Sequence, residues 1–252
     1  MSSSLSINGA KILYTIPVFG GIPLTETIVM SWVVMAIITG VCIWLTRDLK
    51  VENISKRQAV AEMLVETVTN FTRNNMGGEA FDMFIPFVAA LFSTSVVSNL
   101  ISLFGVWSPT ADLSTEAAWA IVVYAIINYY KIKVNGVGGF LKGFTEPIAV
   151  MTPFNILSDL ATPISMACRH FGNILAGVVI SGLIYWSLGL ASHALFSLLP
   201  GVLGDVLGQI PFLSVGVPAV LSVYFDWFSG VMQAFIFCML TTMFIGNAAA
   251  TE

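Results

Sequence analysis

Long apolar runs, separated by short polar or glycine- and proline-rich stretches, set the pattern of this chain. Thr25 to Thr46 carries no charge beyond Glu26 at its start, and Arg47 follows its end. At about 1.5 Å per residue such a run crosses a bilayer core of about 30 Å as a helix. From Ser55 to Met76 the character changes: Lys56, Arg57, Glu62, Glu66 and Arg73 alternate with Val60, Met63, Leu64, Val68 and Phe71. That spacing gives a charged helix with one apolar stripe, which lies at an interface and does not cross. Phe81 to Trp107 is a second span and Ala117 to about Tyr130 a third, with Ser108-Pro109-Thr110-Ala111-Asp112-Leu113-Ser114-Thr115-Glu116 as a turn and helix start between them. Lys131, Lys133, Gly136, Gly138, Gly139 and Lys142 suggest a basic, glycine-rich loop.

Thr145 to Leu199 is then mostly apolar, and its last 43 or so residues would make a helix of roughly 65 Å. It is either broken or strongly tilted. Tilt is the reading taken here, because its polar residues recur along one face. Residues 200–218 form a turn rich in glycine and proline, and Ala219 to Ala248 makes a final helix. Residues 1–24, punctuated by Gly9, Pro17, Gly20, Gly21 and Pro23, read as a short lead-in. The expectation is one membrane domain over 1–252, an all-α integral membrane protein. It has about five membrane helices plus an interfacial amphipathic helix, and the last two helices are long, tilted and paired as a hairpin.

Composition sharpens this picture. The 252 residues are 57% hydrophobic and only 10% charged, the mean hydropathy is +0.89, and an ordinary soluble domain is about 25% charged. The net charge of −4 is too small to indicate an acidic or basic partner, and no basic cluster interleaved with aromatics points to nucleic acid. Cys42, Cys168 and Cys238 stand singly in apolar segments, without disulfide or metal spacing. The N-terminus lacks the basic region of a signal peptide. Arg47, Lys50, Lys56, Arg57 and Arg73 fall between the first two spans, and Lys131, Lys133 and Lys142 follow the third. The positive-inside rule puts these in the cytoplasm, with the N-terminus outside and the C-terminus inside.

Against the apolar background two polar stripes remain. Ser158, Thr162, Ser165, Arg169 and Asn173 step by four, three, four and four, with Asp159 and His170 beside them. On the last helix Ser222, Asp226, Ser229 and Gln233 step by four, three and four. Arg169 is the sole Lys or Arg after Lys142. A guanidinium cannot shed its charge, and placing it mid-bilayer costs roughly 2.5–3.5 kcal/mol on insertion scales. A chain that keeps it there uses the charge. The blander readings are packing for the small Ser and Thr, hydrogen-bond glue for Asn173 and Gln233, and a buried ion pair of Arg169 with Asp159 or Asp226. No nucleophile–base pair or metal motif suggests an enzyme, and no cofactor is indicated. A self-contained secondary transporter that binds an anion at Arg169 is the alternative, although no internal repeat supports it.

Arg169-His170-Phe171-Gly172-Asn173-Ile174-Leu175-Ala176-Gly177 resembles the arginine signature of subunit a of the F-type rotary ATP synthases. Gln233-Ala234-Phe235-Ile236-Phe237 resembles that family's final-helix signature, and Phe92 to Asp112 its middle helices and loop. The likeness spans roughly residues 25–249. It implies a non-catalytic stator subunit in the cell inner or plasma membrane, in contact with lipid, the c-subunit rotor ring, the peripheral-stalk subunit b and the rest of the complex. It further implies that Arg169 faces the ring carboxylates, and that Asn173, Gln233 and Asp226 belong to the path of H⁺ or Na⁺ through two offset half-channels; the stripe positions Ser165, Ser222 and Ser229, with Asp159, are read as lining the same path. This chain departs from the family at Val178, where an ionisable residue is usual, and at His170, where leucine is common.

Overall fold

The computed structural model describes residues 11–17, 21–104, 106–146, 148–196, 220 and 223–250. A short antiparallel hairpin, β1 (Ile12–Ile16) and β2 (Ile22–Thr25), leads directly into α1 (Glu26–Thr46). The lead-in is thus extended and paired, because the break near Gly21, at φ 94°, lets the chain double back. α1 is apolar on all sides and buries little beyond Thr27 and Val34, so most of its surface suits lipid.

α2 (Lys56–Met76) begins at Ser55, whose hydroxyl accepts from the Gln58 amide at 3.2 Å, and ends at Gly77 in the left-handed region. Arg73 near its end holds Asp82 through its Nε at 2.8 Å, which ties α2 to the following turn. A 3₁₀ segment, Glu79–Phe84, runs into α3 (Ile85–Ile101), where Pro86 sits in the first turn and needs no donor.

α4 runs from Leu113 to Gly143, well beyond the loop expected from Lys131 onward. The glycines do interrupt it, since Gly136 adopts φ 68° and ψ 169°, but helix resumes on the far side. A single left-handed residue makes a kink here, and the glycine run does not end the segment. α5 spans Thr152–Phe196 as one helix of 45 residues, with Pro163 inside it. A π-helical turn, Val223–Ser229, then enters α6 (Gly230–Ala249).

Five helices among the described residues are long and apolar enough to cross a membrane, and the fold is all-α apart from the hairpin. α4 packs on α5 and α6, α3 on α1 and α6, and α2 on the end of α6. Val88 and Leu91 of α3, Ala120, Val123 and Ile127 of α4, Met166 and Ala167 of α5, and Phe237, Cys238 and Ile245 of α6 form the core. α6 is the central post of the bundle. Gly246 on it sits so close to α2 that an added Cβ would lie 2.9 Å from the Met76 Cα.

Candidate functional site

The middle of α5 sorts its residues by face. Met166, Ala167 and His170 turn inward and are buried, while Ser165 and Arg169 turn outward and are exposed. Leu157, Ile164 and Leu175 are also exposed, farther round the outer surface from Arg169. Arg169 is therefore an exposed charge on the polar stripe it shares with Ser158, Thr162 and Ser165, flanked by apolar surface. Among the described side chains, which do not include that of Asp226, it has no ion-pair partner.

That corrects one alternative from the sequence. Asp159 does not neutralise Arg169, because Lys131 Nζ donates to its Oδ1 at 2.6 Å and the Tyr124 hydroxyl to its Oδ2 at 2.6 Å. Its side chain is 14% exposed and Lys131 is 34% exposed. The pair sits in a cleft of about 510 Å³ between α4, α5 and the end of α6, whose walls include Asn155, Ser158, Thr162 and Asn247. Asn155 also closes the turn beneath it, donating to the carbonyls of Phe144 and Glu146 at 2.9 Å.

One turn beyond Arg169, the α5 stripe meets the last helix. Asn173 Nδ2 donates to Ser229 Oγ at 2.7 Å, and Ser229 Oγ lies 3.1 Å from Asn173 Oδ1. This contact comes at the end of the π-helical turn, whose extra residue per turn rotates Ser229 relative to a regular helix. Gln233, the next position of that stripe, is 7% exposed and faces the interior. Ser222 and the side chain of Asp226 lie outside the described residues.

Inward of Arg169 is a polar cluster that the sequence did not single out. Glu116 and His170 are both 0% exposed, with His170 Nδ1 and Glu116 Oε2 2.9 Å apart. The approach is an ion-pair distance without a straight N–H···O line, and Glu116 Oε1 meets no donor among the described residues. His170 Nε2 lies 3.5 Å from both Ser95 Oγ and Asn99 Nδ2. Asn99 in turn donates to the Gly230 carbonyl at 2.8 Å and accepts from Thr110 Oγ1 at 2.6 Å. Thr110 Oγ1 is 2.7 Å from Ser108 Oγ in the turn before α4. Glu116 was legible as an acid one turn into a helix. Its inward aim was not, since the partner lies 54 positions away in sequence.

At the start of α4, Asp112 caps the helix and anchors α1. Its Oδ1 accepts from the Ser114 amide at 3.0 Å and the Ser114 hydroxyl at 2.8 Å, and its Oδ2 accepts from Thr27 at 3.0 Å. Burial pushes its carboxyl upward, and the hydrogen bonds from Ser114 and Thr27 outweigh that, leaving it below the usual value. No group of three or more His, Cys, Asp or Glu side chains placed to hold a metal occurs among the described residues.

Residues 28–246 match the family described as ATP synthase A chain. The chain is 34% identical over 238 residues to ATP synthase subunit a 1 of Prosthecochloris aestuarii, covering 93% of each. It is 33% identical over 228 residues to ATP synthase subunit a 1 of Crocosphaera subtropica, covering 90% of this chain and 87% of that one. With the protein of Propionigenium modestum named ATP synthase subunit a, sodium ion specific, it shares 31% over 244 residues, covering 89% of this chain and 74% of the other. A match of this extent carries from the first membrane helix to the last: the chain belongs to the subunit a family of the F-type ATP synthases.

Proposed function

We propose that this chain is the non-catalytic stator of ion translocation, passing H⁺ or Na⁺ to and from the carboxylates of a c-subunit ring through two offset half-channels. The observation that carries this reading is Arg169, exposed on the outer side of α5 with no carboxylate among the described side chains bound to it. A guanidinium in that setting is costly unless an acid from outside the chain meets it. A ring carboxylate facing lipid is held neutral by desolvation, and beside a fixed guanidinium its ionised form is favoured. Arg169 thereby strips each arriving site of its ion and blocks direct passage between the two paths. The ion then travels nearly a full turn, and each charge moving down 100 mV supplies about 2.3 kcal/mol.

The length of α5 supports the geometry such a partner needs. Phe154 and Leu195 are both exposed, and along one helix they stand roughly 60 Å apart. Keeping both within a hydrocarbon core of about 30 Å tilts the helix about 60° from the membrane normal. A helix at that slope presents its face along the flank of a ring. The cleft at Lys131 and Asp159, with Ser158 and Thr162, opens the inner path, and Asn173, Ser229, Gln233, Asp226 and Ser222 line the outer one, with Ser165 beside Arg169 at their junction. The basic connections support an N-terminus outside and a C-terminus in the cytoplasm, in a cell inner or plasma membrane. The exposed Val60, Met63, Leu64 and Val65 of α2 suit lipid or the stalk subunit b.

The test is Arg169→Ala in the reconstituted complex, with ion-driven ATP synthesis and passive leak measured together. Synthesis is lost and leak through the membrane sector rises. Synthesis at the normal rate would overturn the assignment.

A further inference from the structure

The hairpin of β1 and β2 has no task in the function proposed above. Its strands, Ile-Leu-Tyr-Thr-Ile and Ile-Pro-Leu-Thr, carry no charge. Even so, Ile12, Leu13 and Tyr14 are each more than half exposed. Among the described residues the hairpin packs chiefly on itself and on the start of α1. A lone two-stranded hairpin is marginal at best in water, and it needs a face packed on something to hold its shape.

The register sorts the strands by face. Tyr14 pairs with Leu24 and, one position on, Thr15 pairs with Pro23. Cross-strand partners share a face and successive residues alternate, so Tyr14 and Leu24 fall on one face and Thr15 and Pro23 on the other. The pair Ile16 and Ile22 comes two positions after the first. One side of the ribbon is therefore apolar, and the other keeps a hydroxyl toward water. Ile12 and Leu13 fall at the register shift and add apolar surface at its foot.

What covers the apolar side follows from where the hairpin is fastened. α1 has 21 residues, about 31 Å of helix, which matches a hydrocarbon core of about 30 Å. Its ends, Glu26 and Thr46 with Arg47, therefore stand at the two boundaries of that core. The hairpin leaves the Glu26 end without a linker, and the Glu26 amide donates to the Lys11 carbonyl at 2.9 Å, so both strands are tied at that level. Thr25 Oγ1 lies 2.7 Å from Thr27 Oγ1, and Thr27 donates to Asp112 at 3.0 Å, which joins the same foot to the turn before α4.

The headgroup layer on each side of the core is about 5–8 Å deep, and the five residues of β1 extend about 17 Å. Upright, the hairpin would leave that layer; lying flat, all of it stays inside. Deeper insertion is barred, because a two-stranded ribbon has two open edges whose N–H and C=O groups find no partner in hydrocarbon. The headgroup layer gives those edges water and gives the apolar face acyl chain, and it is the level at which tyrosine is enriched. Lys11, exposed at the foot, stays within reach of headgroup phosphate.

We propose that this hairpin is a lipid-seated foot: it lies flat in the headgroup layer at the start of α1, with Tyr14 and Leu24 against the acyl chains and Thr15 and Pro23 toward water. Seated in this way it sets the depth of α1 and, through Thr27 and Asp112, that of the turn before α4. The inference requires only a membrane-embedded chain and does not depend on the stator reading.

The test uses the full chain in its assembled complex in lipid nanodiscs, where both membrane faces are open to reagents. The exposed Cys42 and Cys168 are replaced by alanine, and this parent sets the background. Tyr14→Cys and Thr15→Cys are treated with a charged maleimide that does not enter lipid. Separately they are labelled with monobromobimane in discs whose lipids carry a nitroxide near the headgroup or deep in the acyl chain. Burying a large apolar side chain favours the seated state roughly tenfold or more, so maleimide reacts faster with Thr15→Cys than with Tyr14→Cys by about that factor. Bimane at position 14 is quenched by the shallow nitroxide more than by the deep one, and more than bimane at position 15. Leu24→Cys and Pro23→Cys repeat the comparison on β2, so a variant that fails to assemble leaves the other strand to decide. Equal maleimide rates on the two faces overturn the proposal, since the hairpin then stands in water. Protection at position 14 without quenching by the shallow nitroxide overturns it as well, because a protein surface then covers that side.

Discussion

Replacing Gly246 by alanine tests how tightly α6 is held against α2. The added methyl would stand 2.9 Å from the Met76 Cα and 3.4 Å from the carbonyl oxygens of Asn75 and Met76. These are backbone atoms at a helix end, so no side chain can swing aside. Carbon–carbon contacts are comfortable at about 3.5–4.0 Å, and α2 and α6 must therefore part by roughly 0.6–1.1 Å. Overpacking of this kind costs about 1–3 kcal/mol, against which alanine gains about 1 kcal/mol of helix propensity over glycine. Gly40 on α1 supplies the control, because a Cβ there meets nothing within 4 Å. Gly40→Ala should be stabilising by up to about 1 kcal/mol, so the two variants should differ by about 1–3 kcal/mol. Reversible unfolding in mixed micelles of rising SDS fraction measures both. Equal shifts in the two variants would refute the reasoning.

At the opposite corner, Asp112 has its carboxyl lowered by Ser114 and Thr27 against the upward push of burial. Its stabilising effect is thus full above the unfolded value of about 3.9 and lost as pH falls through the lower folded one. Asp112→Asn should weaken the chain near neutrality and flatten its loss of stability in acid, read in the same micelle titration at stepped pH. Lys131→Met removes the ammonium from Asp159, leaving a carboxylate with Tyr124 alone in the cleft. The exposure of Lys131 puts the cost between that of a surface pair and a buried one, about 1–3 kcal/mol. Adding Asp159→Asn should recover most of it in a double-mutant cycle, and additivity of the two changes would show that the pair is not coupled.

The helices of this fold were legible because bilayer length and apolar content leave few choices. α1 starts at Glu26 and α2 at Lys56, each beside the residue that the polar pattern marked. α4 was read short because Gly136, Gly138 and Gly139 look like loop punctuation, whereas a single left-handed residue at Gly136 absorbed the whole irregularity. Arg169 stood out as the sole Lys or Arg after Lys142, and its outward aim followed from the spacing of Ser165 and Asn173. Glu116 was missed for the opposite reason. Acids are common in the first turn of a helix, so its presence beside Asp112 looked ordinary, and no local pattern reveals that an imidazole from α5 comes to lie against it. The contact of Asn173 with Ser229 depends on a π-helical turn that hydrophobic periodicity does not encode.

α5 runs through Pro163 without a break, so it behaves as a beam held on both sides of Arg169. Asn155 is pinned to the carbonyls of Phe144 and Glu146, and Asp159 to Lys131 and Tyr124. Arg169 stands ten residues past the second fastening, about 15 Å along the rod. On the proposed function, a sideways push on its guanidinium would be carried as load into those two anchorages and, on the other side, into the bonds between Asn173 and Ser229. The recoil of such a machine would be borne by a handful of hydrogen bonds on either side of the charge that receives it.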